Sequence, residues 1–435
     1  MKKVILENGI KIIYKSIPGS ITSFTIGVEA GANAETEKEL GLAHVVEHMV
    51  FKGTKTKTEK EINKLCDEVF GFHNAMTNYP YVVYYGTCLS EDFASAFQIY
   101  SDIIINPAFR QEGYKEEIQV IIEELKEWSE DLSQHCEDLL FFNAFSERRI
   151  KHLIIGRESI LRSFTIEDIK GFYNRLYTPN NTVISVVTSL AYEEVIKQIE
   201  EIFGSWREMG KSFDEDYNTS EISEVIEKNP GGRDIEKSKE KHTKPLYENP
   251  TEDTYFEKSS NLSGAKIQYI FPIQHLTVEE VTLLRVFNEA FGEGTSCLLY
   301  DEIRTNRGLV YDISGKIKNE KGIKLYTITL GTSKENVELA VSLINEKLSE
   351  IGETKGLFTE EKVRSLVKSQ KLKRTLNLEK SIVMAMNLVV YEIMYNSCET
   401  LLQEFDFEVL PKEEEILRVA KKVLINPAIQ IIMAK

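Results

Sequence analysis

The sequence predicts an α+β protein made of two homologous, duplicated domains, each a mainly antiparallel sheet packed with helices on one side. Three observations carry this reading. The chain has 435 residues, too many for one ordinary core and enough for two of roughly 200 residues each. An order of strand, helix, strands, helices and closing strand runs through the chain twice. Both runs finish alike, on TPNNTVISVV at 178–187 and on LINPAIQIIM at 424–433.

The opening reads as a hairpin: Val4-Ile5-Leu6, a turn at Asn8-Gly9, then Ile10 to Ile17. A second strand covers Ile21 to Ala30, and a helix follows from about Glu39 to Phe51, stopped near Gly53. Residues 59–70 are helical by pattern. From Ala75 to Cys88 tyrosine and valine dominate, giving one strand with two flanks. Helices fill 92–146 and 166–177, and a strand at Asn181–Ser189 and a helix at Tyr192–Phe203 close the first domain, 1–207. Residues 208–258 change character. They hold Gly231-Gly232, the run EKSKEKHTKP at 236–245 and few apolar residues, as a solvated linker would. The second domain, 259–435, starts with a strand at Ala265–Phe271 and a helix at Thr277–Phe291. Strands near 308–316 and 322–331, helices between 333 and 423, and a last strand at Ala428–Met433 complete it.

Composition narrows the function. A hydrophobic share of 42% with 28% charged residues describes a chain able to bury a sizeable interior. No run approaches the ~18 apolar residues of a membrane span, and the apolar stretch after Met1-Lys2-Lys3 breaks at Glu7, too early for a signal peptide. The expected location is the cytoplasm, or an organelle after loss of a presequence. A net charge of −16 excludes a nucleic-acid-wrapping protein, which needs a basic face. The five cysteines, Cys66, Cys88, Cys136, Cys297 and Cys398, are scattered and odd in number, so they read as buried free thiols.

The informative segment is GLAHVVEHMVFKGT at 41–54. On a helix, positions four apart share a face, so His44 and His48 can bind one ion together. Glu47 lies on the same side, where it can reach a metal-held water without being a ligand. This HxxEH order reverses HExxH and keeps its division of labour. A solvated helical face could align such residues by accident, but with only seven histidines in the chain that is the weaker reading. A catalytic zinc takes three protein ligands and keeps one position open. The remaining ligand is sought on the acidic helix around 116–126, where Glu117 and Glu124 lie two turns apart and face the same way while Glu123 does not. The other histidines (His73, His135, His152, His242 and His275) fit no ligand pattern.

Together these residues resemble the pitrilysin/insulinase-type inverted-zincin metallopeptidases, most closely their short processing-peptidase-like group. The resemblance spans nearly the whole chain outside 208–258. It is carried by Leu6 to Gly9, Gly31 to Glu35, the 41–54 motif, Asn74-Ala75-Met76-Thr77, Asn106-Pro107, Glu117 to Glu124, Gly156 and Tyr177 to Asn181. It implies one zinc ion per chain held by His44, His48 and Glu124, with Glu47 as general base and Glu117 tuning the site from behind. It also implies that Arg304 and Tyr311, seven residues apart, reach the zinc site of an opposite domain to bind substrate and steady the tetrahedral intermediate. The peptide would bind as an added strand near Asn74 and Ala75. The chain departs from the family at SCLLY, 296–300, which lacks an arginine, and at Pro80-Tyr81.

The resemblance therefore implies a zinc metalloendopeptidase acting on unstructured peptides or leader segments inside a chamber closed by dimerisation. The partner would be a second copy or a related metal-free chain. A non-catalytic scaffold subunit is the other class, and the intact ligand set speaks against it.

Overall fold

The computed structural model describes residues 1–147, 149–206, 247–259, 264–351 and 356–435; most of the expected linker, and His242 with it, lies outside them. The first part of the chain contributes six strands: β1 (Lys2–Ile5), β2 (Lys11–Ser16), β3 (Ile21–Val28), β4 (Phe70–Thr77), β5 (Val82–Leu89) and β6 (Thr182–Thr188). Its helices are α1 (Leu42–Val50), α2 (Glu59–Val69), α3 (Phe93–Ile105), α4 (Tyr114–Glu130), α5 (Leu132–Ala144), the single turn α6 (Glu158–Leu161), α7 (Ile166–Leu176) and α8 (Tyr192–Phe203). The second part adds β7 (Thr254–Ser259), β8 (Ala265–Pro272), β9 (Val310–Glu320), β10 (Ile323–Thr332) and β11 (Ala428–Ala434). With them come α9 (Val278–Phe291), α10 (Val337–Glu350), α11 (Glu360–Glu379), α12 (Ser381–Tyr395), α13 (Thr400–Gln403) and α14 (Glu413–Val423).

The duplication is plain in the sheets. The first runs β1-β2-β6-β3-β5-β4 and the second β7-β11-β8-β10-β9. Strand for strand, β2-β6-β3-β5-β4 and β7-β11-β8-β10-β9 share one order. In each, the outer pair (β2 with β6, β7 with β11) is parallel and the rest antiparallel. This matching explains two differences from the sequence reading. Thr254–Ser259 falls within the expected polar excursion, yet it is the counterpart of β2. Four of the six residues of TYFEKS are polar because it is an edge strand with little buried surface. The tyrosine- and valine-rich stretch at 75–88 is a hairpin, β4 and β5, turned at Asn78–Tyr81. Asn78 bends the chain by accepting the Tyr79 N–H on its side-chain oxygen at 2.7 Å.

Each sheet packs one face against helices of its own half. The first core gathers Phe24, Ile26 and Val28 of β3, Val45, Val46 and Met49 of α1, and Phe93, Phe97 and Tyr100 of α3. Every large apolar side chain so buried stabilises the fold by about 1.5–3 kcal/mol.

The second face of each sheet carries a helix from the other half. Leu388, Val389 and Ala385 of α12 pack on Ile13, Val83 and Val187 of the first sheet. Gly27 makes room there, since a Cβ at that position would lie 2.3 Å from Val389. Reciprocally, Leu140, Phe141 and Ala144 of α5 pack on Ile270, Leu325 and Ala428 of the second sheet. All five cysteines are buried free thiols, as expected. No helix among the described residues is long and apolar enough to cross a membrane.

Candidate active site

Helix α1 starts where only glycine serves. Gly41 has φ of 99°, and a Cβ there would sit 2.8 Å from both the Gly156 Cα and the Ile155 carbonyl oxygen. The free amides of the first turn are satisfied by Glu35, which accepts from Gly41 N at 3.0 Å and Ala43 N at 2.9 Å. Arg149 holds that carboxylate through Nε at 3.0 Å and donates in turn to the His152 carbonyl at 2.8 Å. Six apolar residues of the nine in α1 are fully buried, leaving His44, Glu47 and His48 as the face that lines the cavity. Opposite, α4 buries Ile118, Ile121 and Ile122 and presents Glu117 and Glu124.

Three donor atoms meet between these helices. His44 Nε2 lies 3.8 Å and His48 Nε2 3.6 Å from Glu124 Oε2, and all three atoms fall within 4.8 Å of one another. Tetrahedral zinc with bonds of about 2.0–2.1 Å sets its ligands roughly 3.3 Å apart, so the donors already stand near that spacing. His48 Nδ1 and Glu117 Oε1 are 2.7 Å apart, which places the proton on Nδ1 and leaves Nε2 as a lone-pair donor. Lys52 bridges Glu117 at 2.5 Å and Glu59 at 2.8 Å.

The electrostatics favour a cation. Glu47, Glu59, Glu117 and Glu124 border one cavity, and among the described residues Lys52 is its one ammonium. Burial, reinforced by the His48 charge, pushes the His44 pKa down to about 3, so this imidazole stays in the neutral form a metal requires. At His48 burial opposes the charge, but the Glu117 bond and the charges of Glu47, Glu117 and Glu124 win and raise its pKa. Glu117 is pulled up by burial and more strongly down by His48 and Lys52, ending below the usual range. Burial raises Glu47, with Thr77 drawing it partly back. Two imidazole nitrogens and a carboxylate, backed by further carboxylates, are a donor set that fits a divalent zinc-like ion.

The cavity, about 600 Å³, is lined by β4 from His73 to Thr77 and by Trp128 and Ile154 as well as by the two helices. Asn74 and Ala75 lie on β4, the last strand of its sheet, so they stand at an edge that no described strand covers. The Ala75 N–H donates to the Asn74 side-chain oxygen at 2.9 Å. Arg304 and Tyr311 lie elsewhere. They do not line this cavity. Arg304 donates to the Tyr311 carbonyl at 2.8 Å and stacks on the Tyr300 ring at 4.7 Å, while the Tyr311 side chain is 67% exposed. In the second half the corresponding place, between α9, β9 and α11, is lined by Asn288 and Gln370. Among the described residues no second cluster of metal-type donors exists.

Sequence reasoning places the Asn74–Thr77 segment beside the site but missed the bond from Thr77 to Glu47, and it missed Lys52, Glu35 and Trp128 as parts of this site. Thr77 donates its hydroxyl to Glu47 Oε2, and Trp128, one turn beyond Glu124, donates its indole N–H to Asp138 at 2.9 Å. The available signals were Thr77's place directly after Asn74-Ala75-Met76 and Trp128's i+4 spacing from Glu124.

A helix bearing HxxEH, a second helix bearing the distant glutamate and an open sheet edge beside them define an inverted-zincin type of site. Residues 11–157 match the family model described as Insulinase (Peptidase family M16), and 163–369 match the Peptidase M16 inactive domain. The chain belongs to the insulinase family, peptidase family M16. It is similar to the uncharacterized zinc protease YmxG of Bacillus subtilis (strain 168), 27% identical over 352 residues, 80% of this chain and 78% of that one. It is also similar to mitochondrial-processing peptidase subunit beta of Dictyostelium discoideum, 32% identical over 206 residues, 46% of this chain and 43% of that one. A solved protease from Helicobacter pylori shares the fold, with a TM-score of 0.83 at 18% identity over 99% of this chain and 98% of that one.

Proposed function

We propose that the chain is a zinc metalloendopeptidase for unstructured peptides or leader segments, with His44, His48 and Glu124 holding one zinc ion. The observation that carries this is the convergence of those three donors beside Glu47, in a cavity walled by the uncovered edge of β4. When bound, the zinc supplies Lewis-acid polarisation and makes a water acidic near neutral pH. Glu47 takes the proton of the attacking water and returns it to the leaving amine. Glu117 orients His48, and Lys52 steadies Glu117. A peptide laid along β4 would bond to the Ala75 backbone in place of the Asn74 side chain.

Arg304 and Tyr311 serve substrate binding and oxyanion stabilisation at a neighbouring chain's site. Support comes from their absence from the lining of their own cavity and from the exposure of Tyr311. On this reading the working unit is a dimer of two-domain chains, 1–207 and 259–435 with the second unit extended back to Thr254. A heterodimer with a related metal-free chain is the second reading, favoured by relatives that are themselves named as subunits.

The test is cleavage of a mixed library of unstructured peptides by the purified chain, with metal analysis, beside Glu47→Gln. Zinc-dependent products from the wild type alone are expected. Stoichiometric zinc without products would move the proposal to the heterodimer, and absence of zinc would favour the scaffold.

A further inference from the structure

We infer that Thr77 is a positioning residue for Glu47, tying the aim of the base to the strand that receives the peptide. The inference rests on the peptidase reading above.

Glu47 reaches the cavity on a side chain whose terminal torsion is soft, so the helix alone does not decide which oxygen faces the metal site. Thr77 decides it. Its hydroxyl donates to Glu47 Oε2, and among the described residues no other side chain makes a hydrogen bond to that carboxylate. The Thr77 backbone N–H bonds the same carboxylate, so one residue of β4 holds it from two atoms. Thr77 is also the last residue of β4, opposite Val82, three and two positions beyond Asn74 and Ala75 at the open edge.

The strand is anchored just past this point. Asn78 N donates to the Tyr81 carbonyl at 2.8 Å, and the Asn78 side chain donates to Glu320 of the second half at 3.1 Å. The donor to the base is therefore held by a fixed strand end. A peptide pairing with β4 is placed by the same strand that sets the base, so base and scissile bond share one frame.

The test compares Thr77→Val, which keeps the branched shape without the hydroxyl, with Thr77→Ser, which keeps the hydroxyl. Each is read by steady-state kinetics on a peptide from the library, by zinc content, and by the visible spectrum of the Co2+-loaded protein. Thr77→Val should lower kcat about 10- to 100-fold, as loss of a hydrogen bond to a charged group implies, with KM changed less than about twofold. It should keep one metal per chain, and its Co2+ bands should move toward those of Glu47→Gln. Thr77→Ser should stay within about threefold of the wild type, with the wild-type spectrum. Wild-type kcat and spectrum in Thr77→Val would overturn the inference. So would equal impairment of both variants, which would mean shape rather than hydroxyl, and so would loss of metal from Thr77→Val, which would make Thr77 a support of the metal site. If no peptide is cleaved even by the wild type, the self-sufficient peptidase reading fails, and the Co2+ spectra still decide for or against Thr77.

Discussion

At the scale of single residues, the site is a set of charges arranged so that each restrains the next. His44 and His48 were legible because helical spacing obliges residues four apart to share a face. Glu117 could be placed on the right face but its partners could not, because its bonds to His48 and Lys52 join different elements. That bond fixes the His48 tautomer, so Glu117→Gln should weaken zinc binding about 10- to 100-fold. Competition against a chromophoric chelator measures it, and unchanged affinity would remove Glu117 from the site. A second residue-scale effect lies outside the metal ligands. Burial first, then the Arg157 and Arg149 charges, push the His152 pKa down to about 4, whereas an unfolded histidine titrates near ~6.5. As pH falls through that interval the unfolded chain takes up a proton that folded His152 refuses. Stability present above about 6.5 is thus lost progressively toward 4. Metal-stripped protein should show a falling unfolding temperature across this window, and His152→Gln a shallower fall. Parallel slopes would rule out His152 as a contributor.

At the scale of elements, what could be read from sequence was what local pattern dictates. The apolar positions around the HxxEH motif put α1 in its place to within three residues at the start, and Gly41 marks where it begins. From sequence the β4–β5 hairpin reads as one strand because its turn has no Asn-Gly or Gly-Gly signal. Asn78, Tyr79 and Pro80 turn the chain through side-chain and tertiary bonds instead. The close approach of Gly41 and Gly156 was equally out of reach, since two isolated glycines do not announce that they touch. It has a measurable consequence. Gly41→Ala must carry a side chain at left-handed φ against Gly156 and Ile155, so it should cost about 1–3 kcal/mol in denaturant unfolding. It should also weaken zinc binding, because the first turn of α1 and the segment pinned through Glu35 and Arg149 would have to part. Wild-type stability would show that the two segments yield to each other freely.

At the scale of the whole molecule, the duplication was legible and the exchange of helices was not. Their apolar residues state that α5 and α12 are buried, but nothing in them names the sheet that covers them. Because each helix crosses to the other half, and because buried Glu392 of α12 binds Lys3 at 2.6 Å and Lys11 at 3.2 Å, the two halves are tied at several points. Such a body has little freedom to swing its own Arg304 and Tyr311 onto its own zinc site. A facing chain can supply them without internal rearrangement, as two-fold symmetry would deliver them twice. The consequence is complementation between two inactive proteins. On the proposed reading, Glu47→Gln lacks its base but offers an intact Tyr311, and Tyr311→Phe lacks the donor but keeps its base. After equal mixing and exchange, half of the dimers pair the two variants, and each such dimer has one complete site. Activity should then return to about one quarter of the wild type, whereas each variant alone stays inactive. If Arg304 and Tyr311 acted within their own chain, or if the true partner were a different protein, the mixture would be no more active than its parts. Restored activity that rises with exchange time would place the base and the tyrosine of one working site on different chains.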